Sequence, residues 1–293
     1  MRRGTGAIAL VALLGFPSLV LAGAGVPEVE VWAQARVTRI LSPEMDRTPR
    51  VALQPQFEVL PGNRIVGLSA AGDLYDLRAR KPLPAKAPAR LSAFTADRGL
   101  LITIRDRQLG WYEDGEVVDR VELPQAGLQI VAGAKRRLFL YGQRGAGSVI
   151  YLLHEGRAGL MVEVPEGRIS SLAAIGERLF FAVGNTIYTV ASRQPPSVLF
   201  IAAGQPQVRS LAADPVSGFL YLSCGRAVYA LRAGVAVSIL RGLEGILRYS
   251  GNALFVLDAE RASLIGLQGL EKLATAGGAQ AAADAPAAGE FKE

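Results

Sequence analysis

"VRSLAADPVSGFLYLSCGRAVYAL", residues 208–231, holds two short apolar runs around a Cys224-Gly225-Arg226 turn, and a third apolar run, Val208 to Ala213, stands in front of them. Apolar runs this short, joined by a Gly-bearing turn, read as a β-hairpin. The same phrase recurs along the chain: "NRIVGLSAAGDLYDL" (63–77), "RGLLITIRDRQLGWYE" (98–113), "RRLFLYGQRGAGSVIYLL" (136–153), "ERLFFAVGNTIYTV" (177–190) and "NALFVLDAERASLIGL" (252–267). Apolar anchors at Ile65, Leu100, Leu138, Leu179, Leu220 and Leu254 are separated by steps of 35, 38, 41, 41 and 34 residues. Tyr75, Trp111, Tyr151, Tyr188, Tyr229 and Ile265 repeat that spacing in the second arm of each hairpin.

Segments on either side of the hairpins repeat too. "LQIVAG" (128–133), "RISSLAA" (168–174) and "GILRYSG" (245–251) precede hairpins; "EVVDRVELP" (116–124), "GLMVEVP" (159–165), "PSVLFIAA" (196–203) and "VAVSILRG" (235–242) follow them. The unit is therefore four strands in about 40 residues, the blade of a β-propeller. Runs such as "RLFFAV" and "FLYLSC" are apolar at successive positions, as a strand packed on both faces requires. Six hairpins predict an all-β, six-bladed propeller over residues 51–273. The last unit supplies only three strands before the chain turns Ala-rich. A segment within 25–50, "VEVWAQARVTRIL" (29–41), alternates Val29, Val31, Ala33, Ala35 and Val37, and is expected to close the last blade, because an open ring would leave two unpaired edges.

With the Ala-Asp-Pro phrase before a Gly-x-Leu-Tyr hairpin, residues 208–231 resemble the repeat of six-bladed propellers of the NHL-repeat, gluconolactonase-like group. The resemblance implies a central channel, which enzymes of that group use to hold a divalent metal through Glu, Asn and Asp side chains. At the strand openings facing such a channel this sequence has Arg90, Gln129, Arg168 and Arg209. Converging donors of this kind suit a carboxylate or phosphate-bearing ligand. No metal site and no cofactor are expected.

Residues 1–24 read as an export signal: Arg2-Arg3, then an apolar run from Ala7, then Ala22-Gly23-Ala24 as a cleavage site. That is expected to place the mature chain in the periplasm or outside the cell, with no membrane span after signal removal; the alternative is that the segment stays uncleaved as a membrane anchor. The single cysteine cannot form an internal disulfide, so the core alone must hold about 245 residues together, a length able to bury about three quarters of its unfolded surface. Residues 274–293, rich in Ala and Gly, read as a disordered tail. The net charge of +6 is scattered, with no basic run longer than Lys135-Arg136-Arg137, which argues against a nucleic-acid partner.

Groups able to do chemistry are sparse. Cys224 shares its register with Ile104 and Val183 and reads as a core filler. His154 is the only histidine and falls in an outer hairpin turn. "GQRGAGS" (142–148) lacks the Gly-Lys-Ser/Thr of a phosphate loop and leads into a strand. The acid pairs Glu113-Asp114 and Asp258/Glu260 read as solvated turn residues. The expected function is a non-enzymatic protein-binding or assembly module of the cell envelope; the alternatives are channel binding of a small anionic ligand or a lactonase/hydrolase-like enzyme.

Overall fold

A computed structural model describes residues 18–23, 26–41, 52–83, 90–97, 100–113, 116–133, 137–191 and 194–273. Strands carry almost all of it, arranged as six antiparallel sheets. Taking the strands from inner to outer, blade 1 is Leu53–Leu60, Arg64–Ser69, Leu74–Asp76 and Lys81–Pro82, and blade 2 is Ala93–Asp97, Leu100–Arg105, Gln108–Glu113 and Glu116–Glu122. Blade 3 is Gln129–Ala132, Leu138–Arg144, Gly147–His154 and Arg157–Val164, and blade 4 is Ile169–Ile175, Arg178–Val183, Thr186–Val190 and Ser197–Ile201. Blade 5 is Ser210–Ala213, Leu220–Cys224, Ala227–Arg232 and Val235–Arg241. Blade 6 has Ile246–Ser250, Ala253–Asp258 and Ser263–Gln268, with Arg36–Leu41 as its outer strand. All six hairpin anchors therefore fall on second strands, and their partners on third strands. Each inner strand packs beside the next around the ring, blade 6 against blade 1 included.

Doubly packed second strands account for the continuous apolar runs. Every residue of Leu220–Cys224 and of Ala253–Asp258 is buried. Cores form between neighbouring blades: Ile102, Ile104 and Leu109 of blade 2 meet Ile130, Leu140 and Val149 of blade 3 in one of them. Neighbouring blades are further tied by short side chains that reach the next blade's backbone. Ser171 Oγ accepts from the Leu211 amide at 2.9 Å, Ser210 Oγ from the Leu247 amide at 2.9 Å, and Ser223 Oγ from the Gly245 amide at 3.1 Å. On the opposite side of the ring the Gln56 side-chain amide donates to the Phe94 carbonyl at 2.8 Å. Such bonds satisfy buried amides and carbonyls that strand pairing alone leaves open.

The Asp-Pro phrase has a local cause. Asp214 is buried, and its carboxylate accepts from the Val216 amide at 2.8 Å, the Ser217 amide at 3.2 Å, and the Ser217 and Tyr249 hydroxyls. The turn then leaves through Gly218 at φ 76°, a conformation natural to glycine. Burial by itself would raise the Asp214 pKa, but these four donors outweigh it and hold the carboxyl below its ordinary value.

Ring closure is as expected in kind and shorter in extent. Arg36–Leu41 runs antiparallel to Ser263–Gln268, with Val37 opposite Leu267 and Leu41 opposite Leu264. The first half of the 29–41 segment does something else. Val26–Trp32 pairs with the outer strand of blade 5, Glu30 opposite Arg241 and Val31 opposite Leu240, and the chain then turns through Ala33-Gln34-Ala35 to reach blade 6. Trp32 and Ala35 drop into the core between blades 5 and 6 and break the single-strand alternation. Ser18–Gly23, the end of the segment read as an export signal, pairs with Val26–Trp32 as a further strand. Residues 1–17 and the 274–293 tail lie outside the described residues.

A second closure acts at the channel wall. Arg248, on the inner strand of blade 6, donates through Nε to Glu58 Oε1 on the inner strand of blade 1 at 2.9 Å. Thr95 Oγ1 of blade 2 reaches the same oxygen at 3.3 Å, and the Arg248 guanidinium lies 5.9 Å from the centre of the Phe57 ring. One carboxylate thus links three blades where the ring meets itself.

Candidate functional site

Inner strands and the loops that feed them surround one large cavity of about 960 Å³. Gln54, Gln129, Arg168, Gln207, Arg209, Glu244 and Arg248 bring their polar groups to it from blades 1, 3, 4, 5 and 6. Three of the four side chains expected at the channel mouth, Gln129, Arg168 and Arg209, line this cavity together. Arg90 is not among its lining residues. It is exposed and left-handed at φ 56° beside the close approach of Gly72 to Leu91, where the Leu91 amide donates to the Gly72 carbonyl at 2.8 Å.

The charges at the cavity differ in how far they are already spent. Arg209 Nη2 donates to Glu260 Oε1 at 3.0 Å, a contact from blade 5 to the blade 6 hairpin in which Glu260 is largely exposed. Arg248 is committed to Glu58 and, through Nη1, to the Leu247 carbonyl at 2.8 Å. Arg168 and Glu244 have no ion-pair or hydrogen-bond partner among the described residues. Arg168 precedes the inner strand of blade 4 and Glu244 that of blade 6, so the blade 5 loop with Gln207 and Arg209 stands between them.

Tyr141, opposite Gln129 in blade 3, forms another part of the wall. Burial pushes its hydroxyl pKa up, against the pull of Arg248 and Arg168. Glu58 is likewise raised by burial, with Arg248 and the hydrogen bonds from Arg248 and Thr95 opposing. Glu58, Arg248, Tyr141 and Glu244 escaped the sequence reading. The usable signal for the first two is a charge inside an inner-strand phrase, "QFEVL" and "GILRYSG", where outward-facing alternation has no solvent to explain it.

The remaining side chains with chemical potential stand elsewhere. Cys224 is fully buried among Ala182, Ile187, Val208 and Leu222, with Sγ 2.8 Å from the Pro206 carbonyl. Burial, with Glu244 adding to it, pushes its thiol up to about 11, the opposite of an activated nucleophile. Ile104 is buried in the matching slot of blade 2, and Val183 is half-buried in blade 4. His154 sits exposed in the turn between the third and outer strands of blade 3, with Glu155 Oε1 3.7 Å from Nε2. The 142–148 glycines serve a hairpin, with Gly145 at φ 61°. Asp258 corrects the expectation of a solvated turn: it is buried, and it caps its turn by accepting from the Arg261 amide at 3.1 Å and pairing with Arg261 Nη1 at 3.2 Å. Glu113 is exposed as expected, and Asp114 lies outside the described residues. No group of three or more His, Cys, Asp or Glu able to hold a metal occurs among the described residues.

No protein-family model matches the sequence, and no curated protein does. Solved structures do resemble the fold. A putative gluconolactonase superposes with a TM-score of 0.55 at 14% identity, covering 80% of this chain and 92% of its own. A luciferin-regenerating enzyme gives 0.57 at 10% identity, covering 80% and 96%. A chain of the mitotic checkpoint complex gives 0.55 at 13% identity, covering 91% and 96%. What they share is the β-propeller. At such identities the likeness carries shape alone, and the propellers in question span enzymes and a protein assembly.

Proposed function

We propose that this propeller is an exported, non-enzymatic binding module that docks a protein partner on its rim. The observation that carries the reading is the contrast between two neighbouring outer edges. On blade 5 the outer strand takes an extra antiparallel strand, Val26–Trp32, from the chain itself. On blade 4 the outer strand Ser197–Ile201 ("SVLFI") ends its sheet, carries no charge, and exposes Val198 and Ile201 by 55% and 51%. Natural edge strands are ordinarily protected by charge, proline within the strand or a covering element. An extended apolar segment of a partner would pair with this edge as Val26–Trp32 pairs with blade 5, gaining main-chain hydrogen bonds and two apolar contacts.

Export rests on the sequence of residues 1–24, and cleavage after Ala24 would remove Ser18–Gly23 while leaving Val26–Trp32 on blade 5. The intact mass of protein recovered from fractionated cells tests it; recovery of the uncut chain from the cytoplasm refutes it. For the rim, affinity isolation from envelope extract with mass spectrometry is compared between the native chain and a Val198→Lys/Ile201→Lys variant. A partner that the native chain recovers and the variant loses is the expected result. Recovery of the same proteins by both, or of none, would overturn the reading.

A further inference from the structure

The mouth of the channel carries a charge pattern that the rim does not use. The guanidinium of Arg209 and that of Arg248 are each offset by a carboxylate, Glu260 and Glu58. What is left at the cavity wall is one cation and one anion, Arg168 and Glu244, without partners among the described residues and held on blades 4 and 6 with a whole blade between them. A simple anion drawn to Arg168 meets Glu244 in the same cavity, and a simple cation drawn to Glu244 meets Arg168. A ligand with separated opposite charges satisfies both.

The same cavity wall offers side-chain amides. Gln54, Gln129 and Gln207 have no side-chain hydrogen-bond partner among the described residues, and each presents both a donor and an acceptor. That is the complement of a peptide group, which also carries one of each. The Tyr141 hydroxyl adds a further polar contact on the blade 3 side. A cavity of about 960 Å³ is at the upper end of the small-ligand range of roughly 300–1,000 Å³. An extended tripeptide, about 10 Å long, carries its two terminal charges farther apart than a single amino acid does.

We infer that the channel mouth binds a short zwitterionic peptide, its terminal carboxylate on Arg168 and its terminal ammonium toward Glu244, with a peptide group on Gln207. The inference is independent of the rim, because it uses none of the residues of the blade 4 edge.

Calorimetry on the full chain with an equimolar pool of tripeptides tests it, alongside the same pool C-terminally amidated, the same pool N-acetylated, and inorganic phosphate. Binding of the free pool is expected to weaken at least about tenfold on blocking either end, since each end contributes a charge-assisted hydrogen bond. Arg168→Gln is expected to bind free and amidated peptides alike, and Glu244→Gln to bind free and acetylated peptides alike. Both variants keep the fold, checked by circular dichroism, as Arg168 is exposed and Glu244 half-buried. The inference falls if the free pool gives no binding, if blocked peptides bind the native chain equally well, or if phosphate binds as tightly as the peptides and loses affinity in Arg168→Gln, which would mark an anion site instead.

Discussion

Replacing Arg248 by Met cuts the ring at the place where blade 6 meets blade 1, and the structure permits a magnitude. The substitution removes the 2.9 Å bond to Glu58 and the guanidinium over Phe57, leaving Glu58, among the described residues, with only the Thr95 hydroxyl at 3.3 Å. Breaking a buried ion pair from one side costs about 3–5 kcal/mol, because the remaining charge stays desolvated without its partner. Both side chains keep some contact with the channel, 20% for Arg248 and 14% for Glu58, so the lower end applies, about 3 kcal/mol. For a chain of this size that lowers the melting temperature by about 6–12 °C.

The loss should depend on pH with a definite sign. Burial already raises the Glu58 pKa, with Arg248 opposing, so removing Arg248 raises it further. A carboxyl whose folded pKa lies above its unfolded value binds its proton more readily in the folded state. Its stability contribution is complete below the unfolded pKa and is lost as pH rises through the folded pKa. Acidification from about pH 7 to about pH 5 should therefore recover part of the deficit relative to the native chain. Neutralising the stranded acid in a Glu58→Gln/Arg248→Met double variant should return stability to within about 1 kcal/mol of the native chain. Thermal denaturation followed by circular dichroism reads all three. A single variant melting within about 2 °C of the native chain, or a double variant as unstable as the single, would refute the reasoning.

Four further outcomes follow from particular contacts. Gly147→Ala should abolish folding or cost more than about 4 kcal/mol, because a Cβ there would lie 2.0 Å from the Val164 carbonyl oxygen and 2.5 Å from that of Pro165; soluble expression and melting temperature check it. Tyr221→Phe should leave stability unchanged or raise it by up to about 1 kcal/mol, since the buried hydroxyl has no hydrogen-bond partner among the described residues; a clear loss in urea denaturation would contradict this. Ser171→Ala and Ser210→Ala should each cost about 1–3 kcal/mol by stranding the buried amides of Leu211 and Leu247, again read by urea titration. Cys224 should resist maleimide labelling in the native state at neutral pH and react once denatured, its thiol being buried and pushed up to about 11; rapid native labelling, followed by mass, would show otherwise.

Much of the molecule was legible along the chain because its information is local and repeated. Six hairpin phrases marked the blades, since a strand sandwiched between two sheets must be apolar at successive positions, and the structure buries those runs as that pattern requires. Cys224 was readable as core from its register alone. The need for a closing strand was also visible, because blade 6 was one strand short. The closing segment was harder to read within its bounds: alternation in 29–41 describes two strands on two blades, and the switch at residues 33–35 depends on the core between blades 5 and 6 that Trp32 and Ala35 fill.

The candidate site divides along the same line. That Gln129, Arg168 and Arg209 stand at inner-strand openings follows from blade register, which sequence carries. Whether they meet, that Arg90 does not join them, and that Arg209 and Arg248 are already spent on Glu260 and Glu58 are matters of distance between residues as far apart as 190 positions in the chain. The sequence by itself determined the blade, its number and its order, because strand pairing within a hairpin is a near-neighbour property. Only the tertiary structure decided which charges remain free at the channel, because charge compensation across a ring joins blades that the chain visits at its opposite ends.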